Sequence, residues 1–497
     1  MADDDKSLES IQIKFASGAL PDDDVRLRGV WGRESLSRLF EFDLMLHRPE
    51  RYTEDQLDQL LRAPCAIALG PKKGDVVHGL LQSIECLDHE RNVGARYLAK
   101  LVPNIWLLTM TRTSRLYQDM TVPEMVTKIL KSYGLTDENF VVRINRSAKS
   151  PKREYIVQYQ ESDWDFIQRW LEHEGFFYWF DHGGAAEKLI IADENTDASP
   201  IEDPEVISYR ERNNLSSGRA ATVWDWSLLQ KRIPARVALL DHNYRRPSSA
   251  LLATEDVDTA RGFGTMFFYG DHFKDNDVGS ALAKLRAERI RCERRIFRGR
   301  TDCSRFRVGH VFELENHFEA TNDGKYLVTR IDHRVGTPVN PDRDDLGTDA
   351  QRYFARFEAI PFDVEFRPER VTPWPRIHGA MHAHIDADTS GDYASIDSEG
   401  RYKVRMPYDV NLNKGGKASR WIRMAQPYAG AGYGQHHPLH KGTEVLLIHI
   451  DGDPDRPIIA SAVPNPQTLS PSTSSNATQS VTQTASGIRV EMEDLQS

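Results

Sequence analysis

Between Ser419 and Pro466 the apolar positions change rhythm in a way that predicts a small antiparallel barrel. Trp421, Arg423 and Ala425 alternate with Ile422 and Met424, and 445–450 is a buried-strand run. That run ends in Asp451-Gly452-Asp453-Pro454-Asp455-Arg456-Pro457. Gly, Pro and Asp at this density force the chain to reverse before Ile458-Ile459 starts another strand.

Upstream, strand-like runs alternate with a few helical patterns. Phe40, Phe42, Leu44 and Leu46 share one face of a half-buried strand over 39–46, with Glu41 and Asp43 on the other. A helix is expected from Thr53, because Thr53 and Gln56 form a capping box and Leu57, Leu60 and Leu61 an apolar stripe. Thr121 and Glu124 give a second capping box. Met125, Val126, Ile129, Leu130 and Tyr133 follow at helical spacing, and Gly134 stops the helix. In 154–180, Tyr155, Val157 and Tyr159 alternate as a strand and Ser162 is placed to cap. Trp164, Ile167, Trp170 and Leu171 form a helical face, Gly175 ends it, and a strand resumes over 176–180. Core packing is a sufficient reason for these aromatics. A fourth helix over 277–295 turns Val278, Ala281, Leu282, Leu285 and Ile290 inward. Arg289, Arg291, Arg294 and Arg295 gather at its end, where positive charge complements the helix dipole; a nucleic-acid patch is the sharper alternative.

Prolines cluster over 362–375, ahead of a new set of strands, and the barrel runs to about Pro466. From Gln467 to Ser486 the chain is rich in Ser, Thr, Gln and Asn without apolar periodicity; strict alternation returns over 487–492. A monomer would leave that polar segment disordered. The expected organisation is a base over 8–365, a barrel over 366–466, and a polar neck with one strand over 467–497.

Length and charge narrow the classes. At 497 residues the chain holds about three or four domains. A net charge of −10 opposes nucleic-acid binding, which needs a basic face to release counterions. No apolar run approaches the roughly 20 residues needed to span a bilayer. The start, Met1-Ala2-Asp3-Asp4-Asp5, lacks the basic and apolar parts of a secretory signal. Synthesis and folding in the cytoplasm are expected, with any exit by a route that reads folded structure. Cys65, Cys86, Cys292 and Cys303 show no Cys-x-x-Cys spacing, so free, mostly buried thiols are expected.

Candidate chemistry is sparse. There is no Gly-x-Ser-x-Gly, His-Glu-x-x-His or Walker-type loop, and 416–419 lacks the spacing to cradle phosphates. Asp386, Asp388, Ser390, Gly391 and Asp397 follow calcium-loop spacing, but Asp stands where a chelating Glu belongs and the flanks alternate like strands. A turn between the first two barrel strands is the preferred reading. His378, His382 and His384, and then His436, His437 and His440, are close enough in sequence for zinc, yet no Cys or Glu completes either set. Glu172-His173-Glu174 on the third helix is read as a solvated face, since adjacent helical side chains diverge. No catalytic, cofactor or metal residue is assigned.

Several segments resemble the VgrG family, the spikes of type VI secretion systems. Trp421-Ile422-Arg423, the Gly-rich loop with Tyr428 and Tyr433, Gly442-Thr443-Glu444-Val445 and the Gly-Asp-Pro-Asp-Arg-Pro turn stand in the order of that family's oligonucleotide/oligosaccharide-binding (OB) barrel. Residues 32–42 are similar to its Gly-x-Glu-x-Leu-Ser-x-Leu-Phe-x-Phe opening, 154–180 to its Trp-Asp-Phe helix between strands, 398–409 to its Gly-Arg-x-Lys-Val strand, and 475–480 to its polar neck. One departure is that many members carry an aromatic where this chain has His436 or His437.

The resemblance implies a mainly β (β-rich α+β) protein: a hub of two β-barrel-like units with inserted helices, an OB barrel, and the start of a trimeric β-helix. It implies a homotrimer whose pseudo-sixfold hub seats on a hexameric Hcp tube among baseplate proteins. Effectors and adaptors ride with it, and the stiff tip crosses a target membrane mechanically, without enzymatic activity, cofactor or nucleic acid. Assembly would be in the bacterial cytoplasm, followed by injection without a signal peptide. Because members usually continue through many more needle strands, 467–497 is expected to be the first strand of a truncated needle, or the chain a hub served by a separately encoded one, and contact with a PAAR tip protein is not expected through this chain. Independently, a polar segment plus one alternating strand cannot bury a core alone, whereas three copies around one axis can. The alternatives are the spike of an extracellular contractile injection system or phage-like tail and, from another class, an OB-fold oligosaccharide-binding protein, using Trp421, Tyr428 and Tyr433, or a cell-wall hydrolase.

Overall fold

The computed structural model describes residues 13–20, 25–70, 75–90, 94–145, 150–201, 206–211, 221–336, 353–411 and 413–495. The chain is mainly β with a few inserted helices, and it forms two compact units. The first comprises Met1–Met110, Thr121–Pro151 and Asp163–Thr372; the second comprises Thr111–Met120, Lys152–Ser162 and Pro373–Ser497.

A 13-stranded sheet dominates the first unit. Its middle places Glu41–Arg48, Arg26–Ser35, Gly324–Gly336, Phe354–Pro361 and Arg295–Thr301 side by side. Gly32 pairs with both Phe42 and His333, so residues some three hundred positions apart in sequence share one ladder. Phe40, Phe42, Leu44 and Leu46 are all buried, as their alternation predicts.

The helices form where local chemistry places them. Helix α1 (Glu54–Arg62) carries the expected capping box, but only Leu60 is buried; Leu61 is exposed, so the stripe is narrower than its pattern. Helix α2 (Val122–Ser132) has the Thr121–Glu124 box and buries Met125, Val126, Ile129 and Leu130. Tyr133 instead caps its end, with its hydroxyl donating to Asp163. Helix α3 (Asp163–Glu174) is buried nearly all round and ends at Gly175, in the left-handed conformation that glycine adopts without strain. Helix α4 (Asn276–Cys292) lays Leu282, Ala283 and Ala287 against Val237, Leu239 and Ala253 of a three-stranded sheet.

Gly309 shows how tightly this unit is packed. It has φ +76°, and a Cβ there would lie 2.4 Å from the Trp179 ring. Gly309→Ala is expected to cost about 1–3 kcal/mol through strain and overpacking, read as a lower midpoint in thermal or urea unfolding.

The second unit is built on a four-stranded sheet ordered Lys403–Arg405, Ala380–Asp386, Glu444–His449, Pro457–Ala462. Isolated bridges add Ile422 to Tyr402, Met424 to Ile459, and His440 to Tyr393. Thr113–Tyr117 and Ile156–Glu161 form an antiparallel pair in the same unit. Leu116, Tyr155 and Val157 join one core with Tyr402, Val404, Val445, Leu447 and Ile459. The alternation of Tyr155, Val157 and Tyr159 thus marks a strand whose core partners lie far downstream.

Candidate functional site

In the second unit, the reversal after the strand Glu444–His449 has a defined job. Asp451 and Gly452 take positive φ (53° and 70°), which turns the chain and sends the Asp453 and Asp455 carboxylates inward. Asp453 Oδ1 accepts the Asp455 N–H at 3.0 Å, and Asp455 Oδ1 accepts the Val157 N–H at 2.6 Å. The turn is therefore a socket that holds the strand Ile156–Glu161 on the barrel.

A second carboxylate is used in the same way. Asp386 accepts the backbone N–H groups of Gly415 (3.1 Å), Gly416 (2.8 Å) and Ala418 (3.2 Å). The 415–418 loop does cradle an anion, but the anion is the protein's own side chain. Asp397 is engaged separately by Arg401 Nε at 2.7 Å, and Asp388 faces Ser395. The calcium-like spacing therefore serves a turn between Ala380–Asp386 and Lys403–Arg405, with its carboxylates committed to different partners.

The histidines are likewise dispersed. His382 Nδ1 lies 2.6 Å from Glu444 Oε1, His436 stacks on Tyr402, and His440 meets the edge of Tyr393. Among the described residues, His378, His382, His384, His436, His437 and His440 supply no converging set of three ligands. Lys403 Nζ sits 4.8 Å over Trp421, and the exposed Tyr428 and Tyr433 rings lie against each other at 5.2 Å.

The neck is more ordered than its composition suggests. Gln479–Gln483 pairs antiparallel with Arg489–Glu493, so the alternating stretch is one arm of a hairpin. Its missed partner is the polar run Gln479-Ser480-Val481-Thr482-Gln483; the β-branched Val481 and Thr482 were its one signal. Ile488, Val490 and Met492 are 67%, 59% and 64% exposed. A two-stranded ribbon is marginally stable alone in water, and this one leaves three large apolar side chains bare.

Comparison with known proteins agrees with this layout. Residues 33–339 match the phage tail baseplate hub (GPD) family. The chain belongs to that family. Residues 394–463 match the type VI secretion system/phage-baseplate injector OB domain. Two similar relatives are the type VI secretion system spike proteins VgrG1c and VgrG1a of Pseudomonas aeruginosa, each 29% identical, over 93% and 91% of this chain. The chain spans 63% and 70% of their respective lengths. Among solved structures, the E. coli c3393 protein superposes with a TM-score of 0.65 at 23% identity, covering 90% of this chain and all of that one. It is described as a type VI secretion component with structural similarity to the T4 bacteriophage tail proteins gp27 and gp5.

Within the hub segment several acidic and basic side chains are buried and bonded to distant parts of the chain. Glu172, His173 and Glu174 are not a solvated face: all three are buried, because α3 is packed on every side. Glu172 accepts from Gln168 Nε2, Val371 N, Thr372 N and Thr372 Oγ1, each at 3.0 Å. Helix α4 stops at Cys292, short of the expected 295, and Arg295 already opens a strand; the arginines at and just beyond its end are engaged within the protein. Arg289 pairs with Glu293 at 2.8 Å, Arg294 with Asp258 at 3.0 Å, and Arg291 donates to the Val257 carbonyl. Arg295 lies over the Phe297 ring.

Glu34 and His333, on paired strands, were invisible to local sequence rules. His333 Nε2 is 2.9 Å from Glu34 Oε1, and His333 Nδ1 is 2.7 Å from the Tyr353 hydroxyl. Burial pushes the Glu34 carboxyl up, but Arg307 and His333 outweigh it and hold it at about 2. Burial pushes His182 down to about 3 and His449 to about 4.

The sign of the pH dependence follows. Each histidine gains a proton on unfolding at any pH between its folded value and about 6.5, so acid favours the unfolded chain. Glu34 acts the same way, its contribution being complete above about 4.3 and lost as pH falls toward its folded value. Stability is expected to fall from pH 7 to pH 4, by up to about 1.4 kcal/mol per pH unit per histidine. Urea midpoints across that range check this; His449→Gln should flatten the slope between pH 6.5 and 4.

Proposed function

We propose that the chain is the structural, non-enzymatic hub of a type VI secretion spike, working as a homotrimer at the tip of the Hcp tube. The observation that carries this is the bare apolar hairpin following an OB barrel and a baseplate-hub fold. Ile488, Val490 and Met492 gain cover when three hairpins wind about one axis. The hub would seat on the tube among baseplate proteins and carry effectors and adaptors. Sheath contraction would then drive the assembly from the bacterial cytoplasm through a target membrane, without a cofactor, metal or nucleic acid. Charge fits this reading, since a net −10 chain does not coat nucleic acid. The names of the relatives favour this machine over a phage-like tail or an extracellular injection system.

The test is export of the tube protein by a bacterium expressing the chain in its native apparatus. Val490→Asp with Met492→Asp should abolish tube protein in the medium while leaving the soluble level of the chain unchanged. Undiminished export from the double variant would refute the proposal.

A further inference from the structure

In the first unit, a cavity of about 160 Å³ opens between the strand Phe177–Asp181 and the loop that precedes the strand His310–Glu315. Arg307 and His182, both buried, line its inner part; Arg143 and Arg305 stand nearer solvent. Among the described residues, Asp181 is the one acidic side chain lining it, and its Oδ1 accepts the Gly183 N–H at 2.9 Å.

What sets this cavity apart is a surplus of donors. Arg307 Nη1 donates to the Phe306 carbonyl at 3.2 Å and lies 3.7 Å from Glu34, but its Nε and Nη2 are buried without a hydrogen-bond partner. His182 Nδ1 accepts the His78 N–H at 3.2 Å, which fixes the neutral ring as the Nε2–H tautomer. That Nε2 is also buried and unpartnered. Leaving such donors unmatched costs about 1–3 kcal/mol each. Among the described lining residues the unmatched buried atoms are all donors, and three guanidinium groups stand there against the carboxylate of Asp181, with Glu34 behind Arg307. The volume corresponds to roughly five water molecules of liquid, enough for a four-oxygen ion with residual water.

We propose that this cavity binds a small tetrahedral oxyanion of the phosphate class, held by Arg307 and His182 within and by Arg143 and Arg305 at the rim. A charged acceptor is the group that satisfies guanidinium donors most strongly, through short bidentate contacts. The ion would tie the small sheet carrying Asp181 and Arg143 to the loop entering the 13-stranded sheet. It would thereby stiffen the hub. This goes beyond the spike reading and stands or falls separately from it.

Thermal unfolding and isothermal titration of the full chain with inorganic phosphate, at ionic strength matched with chloride, test the site. A saturable rise in the unfolding midpoint is expected, because a ligand that binds only the native state stabilises it. Arg143→Gln and Arg305→Gln, both nearer the surface, should each weaken phosphate binding roughly tenfold or more, with the fold intact by circular dichroism. Arg307→Lys should weaken it further. Three outcomes would overturn the assignment: no protection beyond chloride, affinity unchanged in both rim variants, or acetate protecting as well as phosphate. A crystal grown with phosphate that shows only water in the cavity would do the same.

Discussion

Replacing Arg367 by methionine is expected to cost about 3–5 kcal/mol, the range for breaking a buried ion pair from one side. Arg367 is 1% exposed. Its Nε donates to Glu288 Oε2 at 2.7 Å, and its Nη1 donates to the carbonyls of Asp193 (2.8 Å) and Phe366 (2.9 Å). Methionine fills much of the volume but takes the guanidinium away from the buried Glu288 carboxylate, which Lys284 approaches no closer than 3.9 Å. The loss would reach beyond one pair. The segment 366–372 also binds α3 through Glu172 and places Arg370 on Asp271, which Arg286 of α4 reaches at 3.0 Å. Urea unfolding read by tryptophan fluorescence should show the drop. A second change, Glu288→Leu, should recover a large part of it, because the uncompensated charge is then gone.

Asp455→Ala should be the next most damaging change, at about 2–3 kcal/mol for a charge-assisted bond whose buried donor is left unmatched. The donor is the backbone N–H of Val157, a fully buried residue in the barrel core. Hydrogen exchange should then accelerate across the strand Ile156–Glu161 before the rest of the barrel. Asp455→Asn keeps an oxygen at that position and should restore most of the protection. Equal exchange in wild type and the alanine variant would show that the turn does not hold the strand.

What was legible in the sequence was what local chemistry decides. Thr53–Gln56 and Thr121–Glu124 announce helix starts because each capping box closes within four residues. The strand through Phe42 and the reversal at Asp451 are equally local. Long-range partnerships were not legible. Alternation at Tyr155–Tyr159 fixes a strand but does not name Val445 and Ile459 as its core neighbours. The acidic Glu172 reads as surface until Val371 and Thr372, two hundred residues away, arrive to donate to it. The same holds for Glu34, His333 and Tyr353, whose meeting depends on the pairing of Arg26–Ser35 with Gly324–Gly336. The hairpin partner at 479–483 was masked by composition, because Ser, Thr and Gln dilute the apolar rhythm that announces a strand.

The most direct test of a trimeric spike hub is its molar mass in solution, by multi-angle light scattering over a dilution series. Three copies of the 56.7 kDa chain should travel together, and Val490→Asp with Met492→Asp should release them as monomers. A wild-type mass of 56.7 kDa at every concentration would contradict the trimer and, with it, the role given to the exposed hairpin.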